Sequence, residues 1–249
     1  MRDASSPLAG FIRQARRIAI FTGAGISTES GVPDFRSPGG IWSRLQPIKF
    51  QDFVASADQR REAWRRKIEI DRDMLAAQPN RGHRAVAALV ASGLAPAVIT
   101  QNIDGLHQRS GIAERAVIEL HGNATYAKCL VCGMRYELAP ICQAFTQEGR
   151  LPTCEKCGGL VKSATISFGQ SMPEDAMRRA QVLTLACDLF LVLGSSLVVF
   201  PAADFPRLAK NNGAKLVIIN REATPQDALA DLVLHTELGP TLGAAVGVA

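Results

Sequence analysis

The chain has 249 residues, a formal net charge of +5 and an apolar fraction of 47%, enough for one large α/β domain or for a main domain with a small insertion. No apolar stretch reaches the roughly 18 residues that a transmembrane helix needs, and the first apolar run is short and leads directly into a glycine-rich loop, unlike a secretory leader. The mild basic excess is only a weak indication of acidic partners. We therefore expect a cytoplasmic protein without membrane contact, whose cysteines sit in a reducing compartment.

Short apolar runs and helical patterns alternate along most of the chain. The runs predict buried parallel strands at about 17–22, 96–100, 117–120, 189–193, 216–219 and 232–235. The helical patterns lie at about 56–77, 81–91, 173–185 and 201–211. This alternation predicts an α/β fold with a doubly wound parallel sheet. The small-residue tail, GAAVGVA, predicts a frayed end.

Two stretches interrupt the alternation and predict a smaller second lobe. One, at about 38–80, carries a long charged helical pattern, and the other, at about 126–161, carries four cysteines among turn residues. We expect 1–38, 81–125 and 162–249 to form the main domain, and 39–80 and 126–161 to form the small one. The basic run within 60–67 is interpreted as a solvated helix face.

The stretch GAGISTESGVPDFRS at 23–37 begins like a nucleotide-binding loop and then departs from one. A buried strand that ends in Gly23-x-Gly25 predicts a tight turn around a phosphate. Thr28 stands where a dinucleotide fingerprint has its third glycine, and Gly31 interrupts the expected helix early. The pattern leaves open what this loop holds.

Two C-x-x-C-G motifs predict a metal site. Cys129, Cys132, Cys154 and Cys157 form the two pairs, with 21 residues between them. Four thiolates fill a tetrahedral shell around zinc and leave no position for water, so the site is predicted to be structural. Redox-active cysteine pairs are the alternative, which a reducing compartment disfavours.

Polar residues follow successive predicted strands, at the edge where open α/β sheets bind ligands. They are Gln101, Asn102, Ile103, Asp104, His121, Gly194, Ser195, Ser196, Asn220, Arg221 and Glu222. Each fragment alone is more often a turn or a structural residue. Their coincidence at successive strand ends predicts a dinucleotide site.

A series of short motifs resembles, in this order, the motifs of the sirtuins. They are GAGIS, SGVPDFRS, TQNIDGLH, the His121-Gly122 pair, the two C-x-x-C pairs, ISFGQ, GSSLVV and INRE. The resemblance runs over roughly 15–240. Sirtuins are NAD-dependent protein lysine deacylases. The resemblance implies a Rossmann-like domain, a small zinc-plus-helical domain and an active cleft between them, with NAD cleaved as a co-substrate.

By this resemblance, His121 is the general base, Asn102 and Asp104 position the ribose and nicotinamide, and the products are free lysine, nicotinamide and O-acyl-ADP-ribose. The expected NAD contacts are Gly23, Ala24, Gly25, Ile26, Ser27, Asp34, Phe35, Arg36, Gln101, Asn102, Ile103, Asp104, Gly194, Ser195, Ser196, Asn220, Arg221 and Glu222. Candidate contacts for the acyl-lysine peptide are Phe35, Ile166, Phe168, Gly169 and Val198. Plain core packing is the alternative for the aliphatic positions among them.

Two departures from the family bear on the substrate. Desuccinylating sirtuins carry a Tyr-x-x-Arg pair in the small-domain helix, whereas residues 62–66 read Glu-Ala-Trp-Arg-Arg, with no tyrosine. Gly169-Gln170 replaces the usual Gly-Glu and removes a charge beside the peptide. We expect neutral acyl groups, acetyl or longer aliphatic chains, to be preferred.

Mono-ADP-ribosyl transfer from the same NAD site is the nearest alternative activity, and a non-catalytic NAD-sensing module is a further one. No specific nucleic-acid partner is expected, because 126–161 has few basic or aromatic side chains.

Overall fold

The computed structural model describes residues 6–33 and 46–249. Within these ranges the strands are β1 Ile18–Thr22, β2 Val98–Thr100, β3 Val117–Glu119, β4 Gly122–Cys129, β5 Arg135–Glu137, β6 Val161–Thr165, β7 Leu189–Leu193, β8 Lys215–Ile219 and β9 Leu232–Leu234. The α-helices are α1 Pro7–Gln14, α2 Phe50–Ala55, α3 Ala57–Ala76, α4 Arg81–Ala91, α5 Leu106–Arg109, α6 Leu138–Glu148, α7 Glu174–Ala186, α8 Phe205–Asn211 and α9 Leu238–Val246.

The large sheet has six parallel strands in the order β3-β2-β1-β7-β8-β9. Counted along the chain, this is the order 3-2-1-4-5-6 of a Rossmann-like doubly wound sheet. The order reverses between the neighbouring strands β1 and β7, which makes this the topological switch point of the sheet. A crevice for a ligand is expected at this point.

Both faces of the large sheet are covered by apolar packing. Ile18 and Ile20 of β1 face one layer, which includes α1, α4 and α9. The alternate residues Ala19 and Phe21 face the other layer, which includes α7 and α8. All five residues of β1 are buried, which is why the strand reads as an unbroken apolar run in the sequence.

The small lobe is built around an antiparallel sheet with the order β5-β4-β6. Helices α3 and α6 contribute Trp64 and Ile141 to its core, which also contains Cys129 and Cys154. Strand β4 starts at Gly122, directly after His121, and ends at Cys129. One strand therefore connects the predicted general base to the predicted metal site.

Gly122 is required where the two sheets meet. Its φ is 72°, and a Cβ at this position would lie 2.0 Å from the carbonyl oxygen of Ala164 on the neighbouring strand β6. Only glycine fits such an approach. The close contact sets the position of His121 relative to the segment that follows β6.

The predicted strands of the large sheet are all present, with bounds shifted by at most two residues. The predicted frayed tail is wrong, because α9 extends to Val246 and buries Gly243 and Ala245. The Arg81 side chain also donates a hydrogen bond to the carbonyl oxygen of Val248. Helix α1 was not predicted, and the exact domain limits stay a prediction.

No helix in the described part of the chain is long and apolar enough to cross a membrane.

Candidate active site

A cavity of about 560 Å³ lies between the carboxyl edge of the large sheet and the small lobe. Its walls come from the loops after β1, β2, β7 and β8, from α3, and from the segment after β6. The residues predicted from the sequence that line it are Gly23, Ala24, Gly25, Gln101, Asn102, Ile103, His121, Ile166, Phe168, Gly169, Gly194, Ser195, Ser196, Asn220, Arg221 and Glu222. All the strand-end residues predicted to share one site, except Asp104, therefore share one cavity.

The two glycine loops meet at the point where the strand order reverses. A Cβ on Gly23 would lie 2.7 Å from the carbonyl oxygen of Gly194, and a Cβ on Gly25 would lie 2.8 Å from its Cα. Gly194 itself has a φ of +65°, and its own Cβ would lie 2.4 Å from the amide nitrogen of Ile26. No side chain fits at these three glycines, so the backbone itself forms this part of the cavity wall, an arrangement that suits a phosphate.

The loop after β1 turns too tightly for a long helix to start on it. Residues 24–26 and 28–30 each form one 3₁₀ turn, and Gly31, with a φ of 82°, ends the second. This confirms the early break inferred from the sequence. Asp34, Phe35 and Arg36, predicted to contact NAD and the substrate, lie outside the described residues.

Behind the cavity wall, Ser27 joins the loop after β1 to the loop after β2. Its hydroxyl donates to Asp104 Oδ2 at 2.7 Å and accepts from Asn102 Nδ2 at 3.1 Å. Asp104 also accepts the amide proton of Leu106 and so starts helix α5. Burial raises the pKa of Asp104, although the hydrogen bonds from Leu106 and Ser27 oppose that rise. Ser27 and Asp104 are therefore brought together as supports of Asn102 and do not line the cavity, and neither does Ile26.

His121 is half-buried at the centre of the cavity wall. Its Nδ1 lies 3.0 Å from the carbonyl oxygen of Gln101, an acceptor, so the ring carries its proton on Nδ1. This leaves Nε2 as the basic nitrogen. The Gln101 side chain in turn donates to Ser195 Oγ at 2.8 Å, which connects the base to the loop after β7.

The segment after β6 passes directly beside His121. The Ile166 amide donates to the His121 carbonyl oxygen at 2.8 Å, and the Phe50 amide of α2 donates to the Phe168 carbonyl oxygen at 2.9 Å. Phe168 is 47% exposed and lines the cavity. Val198, predicted as a further peptide contact, is 46% exposed but does not line the cavity, whereas its neighbour Val199 does.

Helix α3 turns two cations toward the cavity, each already paired with an acid. Arg66 Nε donates to Glu62 at 2.6 Å, and Lys67 Nζ donates to both carboxylate oxygens of Asp71 and to the Ala124 carbonyl oxygen. Hydrogen bonds from Arg65 and Arg66 lower the pKa of Glu62 to about 2. The expectation of a solvated basic face is wrong for Lys67, whose side chain is 11% exposed.

Lys162 lines the cavity, although the sequence does not predict this position as a site residue. Its ammonium group donates to the Ser163 and Thr165 carbonyl oxygens, and burial lowers its pKa to about 8. A lysine within a short strand next to a turn carries no sequence signal of burial. The i,i+4 spacing of Lys67 and Asp71 was a usable signal of their pairing.

Asn220, Arg221 and Glu222 follow β8 at the far end of the cavity. The Asn220 side chain donates to the Glu222 carbonyl oxygen at 2.7 Å, and Arg221 pairs with Glu237 at 2.9 Å. An acidic residue after a strand suits ribose hydroxyls. This end of the cavity therefore offers hydrogen-bonding groups suited to a ribose of a dinucleotide.

The four predicted metal ligands converge at the tip of the small lobe. The Sγ atoms of Cys129, Cys132, Cys154 and Cys157 all lie within 4.8 Å of one another. A tetrahedral zinc ion with Zn–S bonds of about 2.3 Å places its sulfurs about 3.8 Å apart, so the four thiols fit the ion. The Tyr136 hydroxyl donates to Cys154 Sγ at 3.1 Å and lowers the pKa of that thiol to about 6.

The remaining two cysteines lie apart from this cluster. Cys187 is buried in the large-sheet core, and Cys142 of α6 is half-buried beside Lys67 and Asp71.

Known proteins resemble the chain over almost its full length. The model of the Sir2 family matches residues 23–201. An NAD-dependent protein deacetylase of Rhodopseudomonas palustris is 60% identical over 96% of this chain and 95% of its own length. NAD-dependent protein deacetylase 1 of Bradyrhizobium diazoefficiens is 57% identical over 99% of this chain and 97% of its own length.

Solved structures agree with the sequence comparison. A Sir2 complex with a deacetylated p53 peptide and 3'-O-acetyl ADP-ribose superposes with a TM-score of 0.87, at 38% identity over 96% of both chains. A Sir2 complex with a propionylated peptide gives 0.81, at 37% identity over 94% of this chain and 93% of the other. The crevice at the strand reversal, the four-cysteine cluster and these matches lead to one conclusion: the chain belongs to the Sir2 family, the sirtuins.

Proposed function

We propose that this chain is an NAD-dependent protein lysine deacylase that removes acetyl or other neutral acyl groups, releasing nicotinamide and O-acyl-ADP-ribose. One observation carries the proposal: His121, with its Nδ1 proton held by the Gln101 carbonyl, lies between the glycine loops and the segment after β6. A dinucleotide on the loops and a peptide along 166–170 would meet at this ring. The deacetylase relatives and the p53-peptide and propionyl-peptide complexes of Sir2 structures support this arrangement.

NAD supplies the electrophilic ribose carbon and the nicotinamide leaving group. The amides of Gly23, Gly25 and Gly194 already donate to backbone carbonyl oxygens, so the backbone N–H groups of Ala24, Ser195 and Ser196 would hold its phosphates. The Glu222 carboxylate would accept hydrogen bonds from the hydroxyl groups of a ribose. Asn102 lies on the cavity wall with its side chain fixed on Ser27, so it can orient the other ribose. Asp104 acts from behind the wall, through Ser27. Asp34, Phe35 and Arg36 remain proposed contacts on the family resemblance alone.

The chemical steps assign the base to His121. The carbonyl oxygen of the acyl-lysine attacks the ribose carbon as nicotinamide leaves, in a site that holds the two close together and excludes water. His121 Nε2 then takes a proton from a ribose hydroxyl, whose oxygen attacks the acyl carbon, and the imidazolium returns this proton to the lysine amine as it leaves. A water molecule adds to the acyl carbon of the cyclic cation that remains, which opens to O-acyl-ADP-ribose and releases a proton. A neutral imidazole suits proton transfer near pH 7.

The acyl preference follows from the charges on α3. Arg66 and Lys67 are bound to Glu62 and Asp71, so neither cation is left to pair with an acidic acyl group without giving up a carboxylate partner. An incoming succinyl carboxylate would face two acids as well as two bases. Neutral acyl groups meet no such repulsion, which supports the inference from the missing tyrosine.

The structural role of zinc and the cytoplasmic location belong to the same proposal. All four zinc ligands come from the protein, so the ion has no open position for substrate. Four converging thiols need a reducing compartment to stay reduced, which favours the cytoplasm.

The test is a panel of acyl-lysine peptides with NAD, read by mass spectrometry. We expect acetyl, propionyl or longer aliphatic chains to give O-acyl-ADP-ribose with a higher kcat/KM than succinyl. Highest kcat/KM for succinyl would contradict the reading of α3. ADP-ribose attached to a protein side chain, without O-acyl-ADP-ribose, would instead establish mono-ADP-ribosyl transfer, and NAD binding with no product would establish a sensing module.

A further inference from the structure

A buried chain of hydrogen bonds runs beneath the cavity and is not used by the reaction steps above. It begins at His107, in the short helix α5 that follows the loop containing Asn102 and Asp104. His107 Nε2 lies 2.9 Å from Thr22 Oγ1, and Thr22 Oγ1 donates to Thr100 Oγ1 at 2.8 Å. The backbone amide of Asn102 donates to the same Thr100 oxygen at 3.0 Å.

Each residue in this series of hydrogen bonds fixes the donor or acceptor role of the next one. Thr22 and Thr100 are the last residues of β1 and β2 and are paired in register, so their side chains meet at the carboxyl edge of the sheet. Because Thr22 donates to Thr100, its oxygen must accept from His107, which places the imidazole proton on Nε2. Every one of these side chains is at most 2% exposed.

A buried histidine at position 107 costs folding stability that an apolar side chain of the same size would not. Its Nδ1 has no partner within the described residues, although the ring is 2% exposed. An unpaired buried nitrogen costs about 1–3 kcal/mol, whereas an apolar side chain of similar size would avoid that cost. Its ring also faces the buried ring of His83 at 5.2 Å, and burial together with that neighbour keeps it neutral.

We infer that His107 is a positioning residue for the NAD site, acting through Thr22 and Thr100 on the backbone of Asn102. Its Nε2 proton orients the Thr22 hydroxyl, and that hydroxyl fixes the Thr100 oxygen as acceptor for the Asn102 amide. The Asn102 side chain is thereby held on Ser27 at the cavity wall. The role of Asn102 rests on the proposed function, but the hydrogen-bond chain itself does not.

Two polar substitutions separate this role from simple packing. A glutamine at 107 can place an N–H near the position of the imidazole Nε2, whereas an asparagine reaches only the position of Nδ1. We expect His107→Asn to lower kcat/KM for NAD by about 10- to 100-fold, because misplacement of about 1 Å costs this much. The KM for the peptide should stay within about twofold, and His107→Gln should recover most of the activity.

A threonine pair supplies the matched control. Thr22→Val removes the middle hydroxyl of the chain, and we expect the same loss in kcat/KM for NAD. Thr184→Val removes an equally buried hydroxyl, which donates to the Ala180 carbonyl oxygen in α7, away from the cavity. It should lower the melting temperature without changing turnover per folded molecule. The double variant His107→Asn/Thr22→Val should lose no more than either single variant, because both break one chain.

Nicotinamide exchange distinguishes positioning from proton transfer. Ribose misplacement slows bond cleavage itself, so exchange and deacylation should fall together in His107→Asn. Equal losses in Thr22→Val and Thr184→Val, or a His107→Asn enzyme with normal kcat/KM per folded molecule, would overturn the inference. Calorimetry of NAD binding tests the role of His107 separately from the proposed function, and we expect the affinity to weaken about tenfold in His107→Asn. Unchanged NAD affinity in the variant would refute the role of His107. An inactive wild-type protein would instead refute the proposed function.

Discussion

The two halves of the cavity wall are held together by different forces. The large sheet buries apolar side chains on both faces, and its strands β1 and β7 are completely buried. The small lobe has a core in which two of the six buried residues, Cys129 and Cys154, are also proposed metal ligands. Its strand β5 is largely exposed. One half is stabilised mainly by hydrophobic burial, and we expect the other to depend on its metal.

This difference separates the NAD side from the zinc-bearing side. The glycine loops proposed to bind phosphate come from the sheet with the larger apolar core, whereas the segment after β6 follows a strand of the lobe with the four-cysteine cluster. Loss of the metal should therefore remove the peptide-binding wall before it affects the NAD loops. His121, at the start of β4, lies at the junction of the two.

The sharpest test of the comparison, and the largest expected effect, is Cys129→Ala. Structural zinc sites contribute about 10–16 kcal/mol of apparent binding free energy to folding. The variant should lose zinc and unfold β4–β6, while amides of β1 and β7 stay protected in hydrogen exchange. Cys142→Ala, outside the cluster, should keep both the zinc and the protection. A zinc-free Cys129→Ala protein with a protected small sheet would show that the lobe folds without metal.

His121→Ala tests the junction. If the ring is the general base, deacylation should fall by about 10²–10⁴-fold, while zinc content and melting temperature barely change. Nicotinamide exchange should survive better than deacylation, because cleavage precedes the proposed proton transfer. Single-turnover deacylation and melting temperature are measured on the same preparation. Normal turnover in a destabilised variant would assign His121 a structural role instead.

Acid should weaken the large-sheet half through its two buried histidines. Burial lowers the pKa of His83 from 6.5 to about 4 and that of His107 to about 3. Below pH 6.5, the pKa of histidine in the unfolded chain, the unfolded state therefore binds more protons than the folded state. The free energy of unfolding is unaffected by these histidines above that pH and falls as the pH drops toward their pKa values in the folded state. By about pH 5 each histidine should cost about 2 kcal/mol.

The difference between wild type and His107→Gln isolates one of the two histidines. Hydrogen exchange of β1 and β2 amides at about pH 7 and about pH 5 should show a smaller acid loss in the variant, by about 2 kcal/mol. His235→Gln, at a 44% exposed side chain, should keep the wild-type loss. An equal loss in wild type and His107→Gln would mean that His107 does not contribute to acid sensitivity.

The smallest expected effect concerns the outer shell of the metal site. Tyr136→Phe removes the hydroxyl that donates to Cys154, and we expect zinc affinity to fall by about 10- to 100-fold while the small sheet stays folded. Competition with a chromogenic chelator measures this. The second tyrosine of the chain, Tyr126, packs under Arg135 at 3.9 Å and makes a matched control, whose change to Phe should leave the affinity unaltered. Equal affinities in both variants would remove Tyr136 from the metal site.

The strands of the large sheet, the four cysteine ligands and the residues at the strand ends are predictable from the amino-acid sequence alone. Parallel strands buried on both faces must read as apolar runs, so β1 and β7 were visible without any contact information. A four-thiolate shell has a spacing that few other functions produce. Helix α9 was missed because glycine and alanine have little side chain to show a pattern, yet they pack closely against α4.

Which polar residues face the cavity and which support it depends on contacts between segments that are distant in the chain. Ser27 bonds to both Asp104 and Asn102 where two loops cross, and the contacts with NAD expected of Ser27 and Asp104 stay predictions. The burial of Lys162 and the hydrogen-bond partner of His107 are visible only in the fold, because segments distant in the chain surround both residues. The burial and the hydrogen-bond partners of a side chain are set by residues far apart in the chain. His107 and Thr22, for example, are separated by 85 positions, and no local sequence pattern encodes their pairing.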